Sequence, residues 1–163
     1  MRDSPYIGPP GDDVDEAWHA LFGNMSLRVS AEELARHSQT SVSLPDGGYL
    51  AWLGVYHNLH CVKVLRQVNY REHYHPNLTK QGVRDLQIHA DHCIDQLRNA
   101  LICHGDTESL TTFTWSNQWS KPLLSPRKPQ HRCLDWDAMV ESLRWRIVSR
   151  EELHRMSNPI LTK

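Results

Sequence analysis

Two copies of one five-residue pattern, His-x-x-His-Cys, are the part of this sequence best suited to chemistry. The copies occupy residues 57–61 and 89–93. Histidines at positions i and i+3 of a helix lie on one face, so each copy can offer two imidazoles to a metal ion. The pattern therefore predicts a metal site with four histidine ligands. These ligands are His57, His60, His89 and His92, and the cysteines that follow them are Cys61 and Cys93.

The ligand type narrows the choice of metal. Imidazole nitrogens suit zinc, copper, iron and nickel, and the two-histidine, one-carboxylate iron arrangement is a less natural match for these motifs. We therefore expect copper or zinc, as one or two ions. Three further side chains are the nearest candidates for extra ligands or for a proton-transfer group, namely His104, Asp106 and His131.

The two motifs lie in segments with helical periodicity. Motif and apolar residues recur on one face from His57 to Val68, and again from His89 to Leu101. Midway between the motifs, at residues 74–75, the chain approaches Pro76, which disfavours helix in the residue before it. Because a helix rises about 1.5 Å per residue, an antiparallel hairpin folded here places the two histidine pairs at equal heights. We predict that the four histidines share one site.

The four cysteines allow several interpretations. Cys61, Cys93, Cys103 and Cys133 form an even set, compatible with disulfides, free thiols or metal ligation. In the predicted hairpin, Cys93 lies about 7 Å along the helix axis from the level of Cys61, which strains a direct bridge between them. We interpret all four as disulfide residues and leave their connectivity open.

The remaining elements follow from local patterns. A short amphipathic helix is predicted over 14–22, and a capping box at Ser30 and Glu33 predicts a helix over 31–37. Extended segments at 40–44 and 49–54 flank a turn and predict a small β hairpin. A Pro-punctuated loop at 121–129 precedes a final helix near 135–154. The predicted fold is mainly α, with the antiparallel helical hairpin that carries both motifs, further packing helices and the small β hairpin.

Length and composition set wider limits. A chain of 163 residues fits one domain, which we place at 14–155 between an N-terminal arm or linker at 1–13 and a C-terminal tail at 156–163. The 18 basic and 19 acidic residues form no long run, which argues against a nucleic-acid partner. There is no dinucleotide-binding glycine motif, no P-loop and no apolar stretch of about 20 residues. Glycosylation sequons at Asn24 and Asn77 favour a lumenal or secreted domain.

The combination of motifs resembles the UstYa-like family of fungal biosynthetic oxidases, whose signature is the doubled HxxHC. The matching segments are YHNLHC (56–61), HADHCIDQLR (89–98), ICHGD (102–106), VDEAW (14–18), FTW (113–115), HRC (131–133) and DWD (135–137).

This resemblance implies a copper-dependent oxidoreductase of fungal secondary metabolism that acts on C–H bonds in the biosynthesis of cyclic peptides or mycotoxins. The implied outcomes are cyclisation, hydroxylation, desaturation or halogenation. It assigns the ligand roles to the four histidines of the motifs. It further implies a lumenal domain of the secretory pathway behind an N-terminal membrane helix. We expect a small-molecule or peptide substrate and association with a second copy or another family member.

Two alternatives remain open from the sequence. The first is a non-enzymatic lumenal domain stapled by a closed zinc site or by two disulfides. The second is a metal-independent enzyme, such as a cyclase, with His57 or His92 as general base. Three tryptophans are candidates to line a substrate pocket or to pack in the core, namely Trp52, Trp115 and Trp119.

Overall fold

A computed structural model describes residues 4–125 and 132–161. The helices are α1 (Asp12–Leu21), α2 (Ala31–Arg36), α3 (Gly54–Asn69), α4 (Arg71–Tyr74), α5 (Lys80–Cys103), α6 (Trp136–Leu143) and α7 (Arg150–Arg155). The strands are β1 (Leu27–Val29), β2 (Tyr49–Ala51), β3 (Phe113–Thr114) and β4 (Leu123–Leu124), and a 3-10 helix spans Arg144–Arg146. The prediction of a mainly α fold with a small antiparallel sheet is confirmed.

The two longest helices, α3 and α5, pack against each other and carry the two motifs. Their contact is centred on the buried side chains of Cys61, Val64 and Cys93. Thr79 begins α5, because its side chain accepts a hydrogen bond from the Gly82 amide at 3.0 Å. The helix ends at Cys103. The motif histidines therefore belong to two helices that pack against each other.

The small sheet forms with a different partner from the predicted one. Strand β2 pairs with β1, and Val29 lies opposite Tyr49. The predicted partner, residues 40–44, forms an isolated bridge between Ser43 and Tyr49, and the Val42 carbonyl accepts from the Leu50 amide at 3.0 Å. Part of this segment is used in the turn before β2, where the Leu44 amide donates to the Gly48 carbonyl at 2.9 Å. Strand β2 therefore pairs with β1 as well as with the end of the predicted segment.

The prediction of one long helix near 135–154 is also wrong, because the helical conformation ends after the 3-10 helix. Ile147 forms an antiparallel bridge with Leu27, and the Val148 amide donates to the Ser26 carbonyl at 2.9 Å. These two β-branched residues extend the small sheet instead of continuing a helix. Ser149 then begins α7 by accepting from the Glu152 amide at 3.1 Å.

The capping box that begins α2 is confirmed. Ser30 Oγ accepts from the Glu33 amide at 3.2 Å, and the Glu33 carboxylate accepts from the Ser30 amide at 2.8 Å. The segment before α1 is also packed, since the Trp18 indole donates to the Tyr6 carbonyl at 3.1 Å. Among the helices of 4–125 and 132–161, none is long and apolar enough to cross a bilayer.

Candidate metal centre

The four motif histidines face one another across the groove between α3 and α5. The ring centroids of His57 and His92 lie 5.8 Å apart, and those of His60 and His89 lie 5.5 Å apart. The two pairs therefore run in opposite directions along the two helices. His89 and His92 stack within α5 at 6.5 Å. The structure thus arranges the histidines as a ladder with two cross-helix rungs.

Each rung is close to the spacing that a shared ion needs. A metal–nitrogen bond of about 2.0 Å puts the ring centroid about 3 Å from the ion, so two imidazoles on a tetrahedral ion have centroids about 5 Å apart. The observed 5.5 and 5.8 Å exceed this by less than about 1 Å. The residues of each rung therefore fit a metal ion after a small rotation of the side chains.

The four imidazole rings of the motifs do not converge on one point in this structure. Within the described residues, no group of three or more histidine, cysteine or acidic side chains is close enough to hold one ion. Each rung offers only two ligands. A single ion bound by all four rings therefore requires larger side-chain movements than one ion per rung.

The ring nitrogens are available for binding. None of the four imidazoles forms a hydrogen bond with another residue of 4–125 or 132–161. On α3, His57 and His60 are half-buried, whereas His89 and His92 on α5 are exposed. Burial lowers the pKa of His60, and the positive charges of His89, His57 and Lys63 lower it further. The neutral imidazole that this favours is the form that binds metal ions.

The cysteines lie on the core side of the helix pair, away from the open groove. Cys61 and Cys93 are 0% exposed and lie in one buried cluster with Val64. Burial, and then the Cys61 thiol, raise the pKa of Cys93 to about 12, which favours the protonated thiol over a thiolate ligand.

The disulfides expected from the sequence are not present. All four cysteines are free thiols, with Cys61 and Cys93 buried and Cys103 and Cys133 exposed. The expectation rested on the even number of cysteines, which carries no information about which side chains meet.

Two of the three additional candidate ligands, Asp106 and His104, do not join the histidines. Asp106 Oδ1 accepts from the amides of Glu108 and Ser109 at 3.0 and 2.9 Å in the loop after α5. That loop begins about 16 Å along α5 from His92, given the rise per residue. His104 caps the same end of α5 and is exposed. His131 lies outside the described residues.

Of the three tryptophans, only Trp52 lies beside the ladder. Its ring centroid is 5.7 Å from that of His60, and its indole nitrogen donates to Ser26 Oγ at 3.3 Å. Trp115 and Trp119, in contrast, are 75% and 64% exposed on the β3–β4 segment. Neither of these two packs in a core.

Sequence reasoning missed one contact that ties the two motifs together. Gln96 Nε2 donates to Asn58 Oδ1 at 3.1 Å, next to the rung of His57 and His92. Gln96 follows His92 by one helical turn, and Asn58 follows His57 directly. The only sequence signal for this contact was the presence of an amide side chain beside each motif. The HxxHC pattern does not indicate that these two side chains meet.

Comparisons with known proteins give a family. The family profile described as "Mycotoxin biosynthesis protein UstYa" matches residues 1–146. No solved structure matches the chain.

Similar curated proteins come from fungi and carry more than one kind of name. The UstYa family oxidase phomYd of Diaporthe leptostromiformis is 28% identical over 83% of this chain and 44% of its own length. From the same organism, the UstYa family oxidase phomYc is 32% identical over 65% of the chain and 45% of its own length. The transacylase cctO of Talaromyces islandicus is 29% identical over 64% and 40%.

This chain spans less than half the length of each of these three relatives. The family match, however, covers both histidine motifs and nearly the whole chain. The chain therefore belongs to the UstYa family of mycotoxin biosynthesis proteins.

Proposed function

We propose that this chain is the metal-binding domain of a copper-dependent oxidase of fungal secondary metabolism. The observation that carries the proposal is the pair of cross-helix histidine rungs, His57–His92 and His60–His89. Names of relatives such as phomYd support an oxidase role. Zinc is the alternative metal, since its ligand preferences overlap with those of copper.

The chain's own residues would hold the metal and leave it accessible. Each rung supplies two imidazoles, and the packed side chains of Cys61 and Cys93 set the spacing of the helices behind them. The exposed rings of His89 and His92 leave the groove open to dioxygen, peroxide and an organic substrate. Bound copper supplies the one-electron redox chemistry that oxidation of a C–H bond needs.

A copper titration of the purified chain tests the proposal. We expect Cu²⁺ binding with nitrogen hyperfine splitting in the electron paramagnetic resonance spectrum. The His57→Ala variant removes one rung. If each rung holds its own ion, this variant loses half of the bound copper, and if all four rings share one ion it loses nearly all of it.

The matched control is His19→Ala, because His19 is an exposed histidine on α1 outside the ladder. It should bind copper as the unchanged chain does. Equal copper binding by the four-histidine-to-alanine variant would refute the proposal. A site that takes only zinc and is redox-silent would support the stapled, non-enzymatic alternative.

Removal of bound metal by a chelator tests the remaining alternative, a metal-independent enzyme. A metal-independent enzyme that uses His57 or His92 as general base keeps its activity after full removal of metal, and the transacylase name of cctO makes acyl transfer the reaction to assay in that case. The oxidase proposal expects that chelation abolishes turnover and that added copper restores it.

A further inference from the structure

A cleft of about 580 Å³ adjoins the histidine ladder on the side of the small sheet. Its walls are strands β1 and β2, helix α2 and the residues that lead into α3. The volume is within the range of small-molecule sites, about 300 to 1,000 Å³. The apolar part of the lining comes from Leu27, Val29, Leu34, Ala51 and Leu53.

Trp52 is the wall shared by this cleft and the ladder. Its side chain lines the cleft, and its ring is 5.7 Å from that of His60. The hydrogen bond from its indole nitrogen to Ser26 fixes the ring, and 43% of the residue stays exposed. A fixed, partly exposed indole is a surface on which an aromatic ring stacks.

Arg146 provides a polar end to the same cleft. Its Nε donates to the Arg28 carbonyl at 3.1 Å, and its Nη2 donates to Glu33 Oε1 at 2.7 Å. Nη1 has no hydrogen-bond partner among residues 4–125 and 132–161. The Glu33 carboxylate lines the same cleft and is ion-paired with this guanidinium. The remaining guanidinium nitrogen can therefore donate to a neutral carbonyl oxygen of a ligand, whereas Glu33 disfavours a ligand carboxylate.

We propose that this cleft binds the substrate of the copper site through an aromatic group that carries a neutral carbonyl oxygen. The ring stacks on Trp52, beside His60, and the oxygen accepts from Arg146. This proposal rests on the proposed function, because it assigns the cleft to the substrate of that site. It makes Trp52 a positioning residue.

The test measures the affinity of the metal-free chain for defined probes by isothermal titration calorimetry or NMR. 4-Hydroxyphenylacetate represents a small aromatic acid, and N-acetyl-tyrosine methylamide represents an aromatic residue of a peptide. We expect N-acetyl-tyrosine methylamide to bind, because its carbonyl oxygens are neutral. 4-Hydroxyphenylacetate should bind about tenfold more weakly, because its carboxylate lies near the Glu33 carboxylate. Tyramine, which has no carbonyl oxygen for Arg146, should also bind more weakly than the amide.

Two variants test whether the probes bind in this cleft. Trp52→Leu should weaken probe binding about three- to tenfold through lost stacking, and Leu34→Trp should weaken it by about tenfold or more by filling the cleft. Val42→Trp is the matched control, because Val42 is exposed and does not line the cleft. Its affinity should be unchanged.

Copper binding, measured on the same preparations, separates the two proposals. Leu34→Trp should keep the copper stoichiometry of the unchanged chain, which also shows that it is folded. Copper binding without detectable probe binding, or equal probe affinity in all variants, overturns the cleft assignment alone. Probe binding without copper binding overturns the proposed metal function instead.

Discussion

Cys61 and Cys93 approach each other because of the direction in which helical side chains point. The Cα–Cβ bond of each residue tilts toward the N-terminus of its own helix. In an antiparallel pair, the two side chains therefore lean toward each other and shorten the axial offset of about 7 Å that backbone heights alone give. The two side chains therefore reach the same buried cluster between the helices.

The state of the four thiols gives a prediction at this scale. We expect two fast-reacting thiols, Cys103 and Cys133, when the native chain is treated with iodoacetamide at pH 8 without reductant. Cys61 and Cys93 should be protected, because they are buried and because a pKa of about 12 leaves a thiolate fraction of about 10⁻⁴ for Cys93. Mass spectrometry of the labelled protein counts the modified sites.

Unfolding in urea supplies the control for this measurement, since all four thiols should then react. Fewer than four labelled sites after unfolding without reductant would contradict the free-thiol state. It would revive the disulfide interpretation of the sequence.

At the scale of the elements, the short helix α7 is held to the rest of the chain by the buried carboxylate of Glu152 and by an exposed ion pair between Arg155 and Asp46. Glu152 accepts from Arg28 Nη2 at 2.6 Å and from the Asp46 amide at 3.0 Å. These bonds join α7 to strand β1 and to the turn before β2. A helix of six residues has little stability of its own, so these contacts fix its position.

Removing that carboxylate should destabilise the fold. We expect Glu152→Ala to lower the free energy of unfolding by about 2 to 3 kcal/mol, below the range for a fully buried pair because Arg28 is 33% exposed. Glu151→Ala, at the exposed neighbouring position, should change it by less than about 0.5 kcal/mol. Urea denaturation of both variants measures the difference, and equal values would show that Glu152 does not fix α7.

The turn before β2 depends on glycine for two separable reasons. Gly47 and Gly48 have φ values of +88° and +72°, which other residues adopt at a cost. A Cβ at Gly48 would also lie 2.9 Å from Arg28 Cγ and 3.0 Å from the Val29 carbonyl oxygen, whereas a Cβ at Gly47 meets no atom within 4 Å. Only Gly48 is therefore required for the close approach to β1.

Alanine at each glycine distinguishes strain from steric conflict. Gly47→Ala should cost about 1 kcal/mol from the left-handed backbone alone. Gly48→Ala should cost about 1 kcal/mol more, because the backbone of β1 has to shift. Thermal unfolding of the two variants gives the comparison. A Gly48 variant no less stable than the Gly47 variant would contradict the close packing of this turn on β1.

How far the sequence predicts each element depends on whether its determinants are local. The capping box at Ser30 and the periodicity around the motifs involve residues within a few positions of one another, and these helices were predicted correctly. The pairing of β1 with β2 and the extended conformation of Ile147 and Val148 depend on contacts between distant segments. Three-residue strands carry no periodic signal strong enough to reveal such partners.

The same reasoning applies to the candidate site. The ladder histidines could be named because they repeat in one pattern. The cleft beside Trp52 could not, since its lining comes from strands, a helix and Arg146, which are far apart in the chain.

At the scale of the whole molecule, many large apolar side chains are exposed among the described residues. Much of the exposed apolar surface is on the β3–β4 segment, where strands of two residues cannot form a stable hairpin alone in water. Its exposed side chains include Phe113, Trp115, Trp119 and Leu124.

We therefore expect the chain to self-associate through the β3–β4 segment. A stable interface buries about 1,600 Å² in total. Light scattering coupled to size-exclusion chromatography at increasing concentration should show dimers or larger species. The double variant Trp115→Ser, Trp119→Ser should shift the population to monomer.

Trp145→Ser is the control for this prediction, because Trp145 is 82% exposed but lies on the 3-10 helix. It removes an equally exposed indole from another part of the surface and should leave the association unchanged. If both variants weaken association equally, the contact is a general effect of exposed apolar area. A monomer at every concentration would contradict the prediction. It would mean that the apolar side chains of β3–β4 remain in water and that this segment is not an interface between copies of this chain.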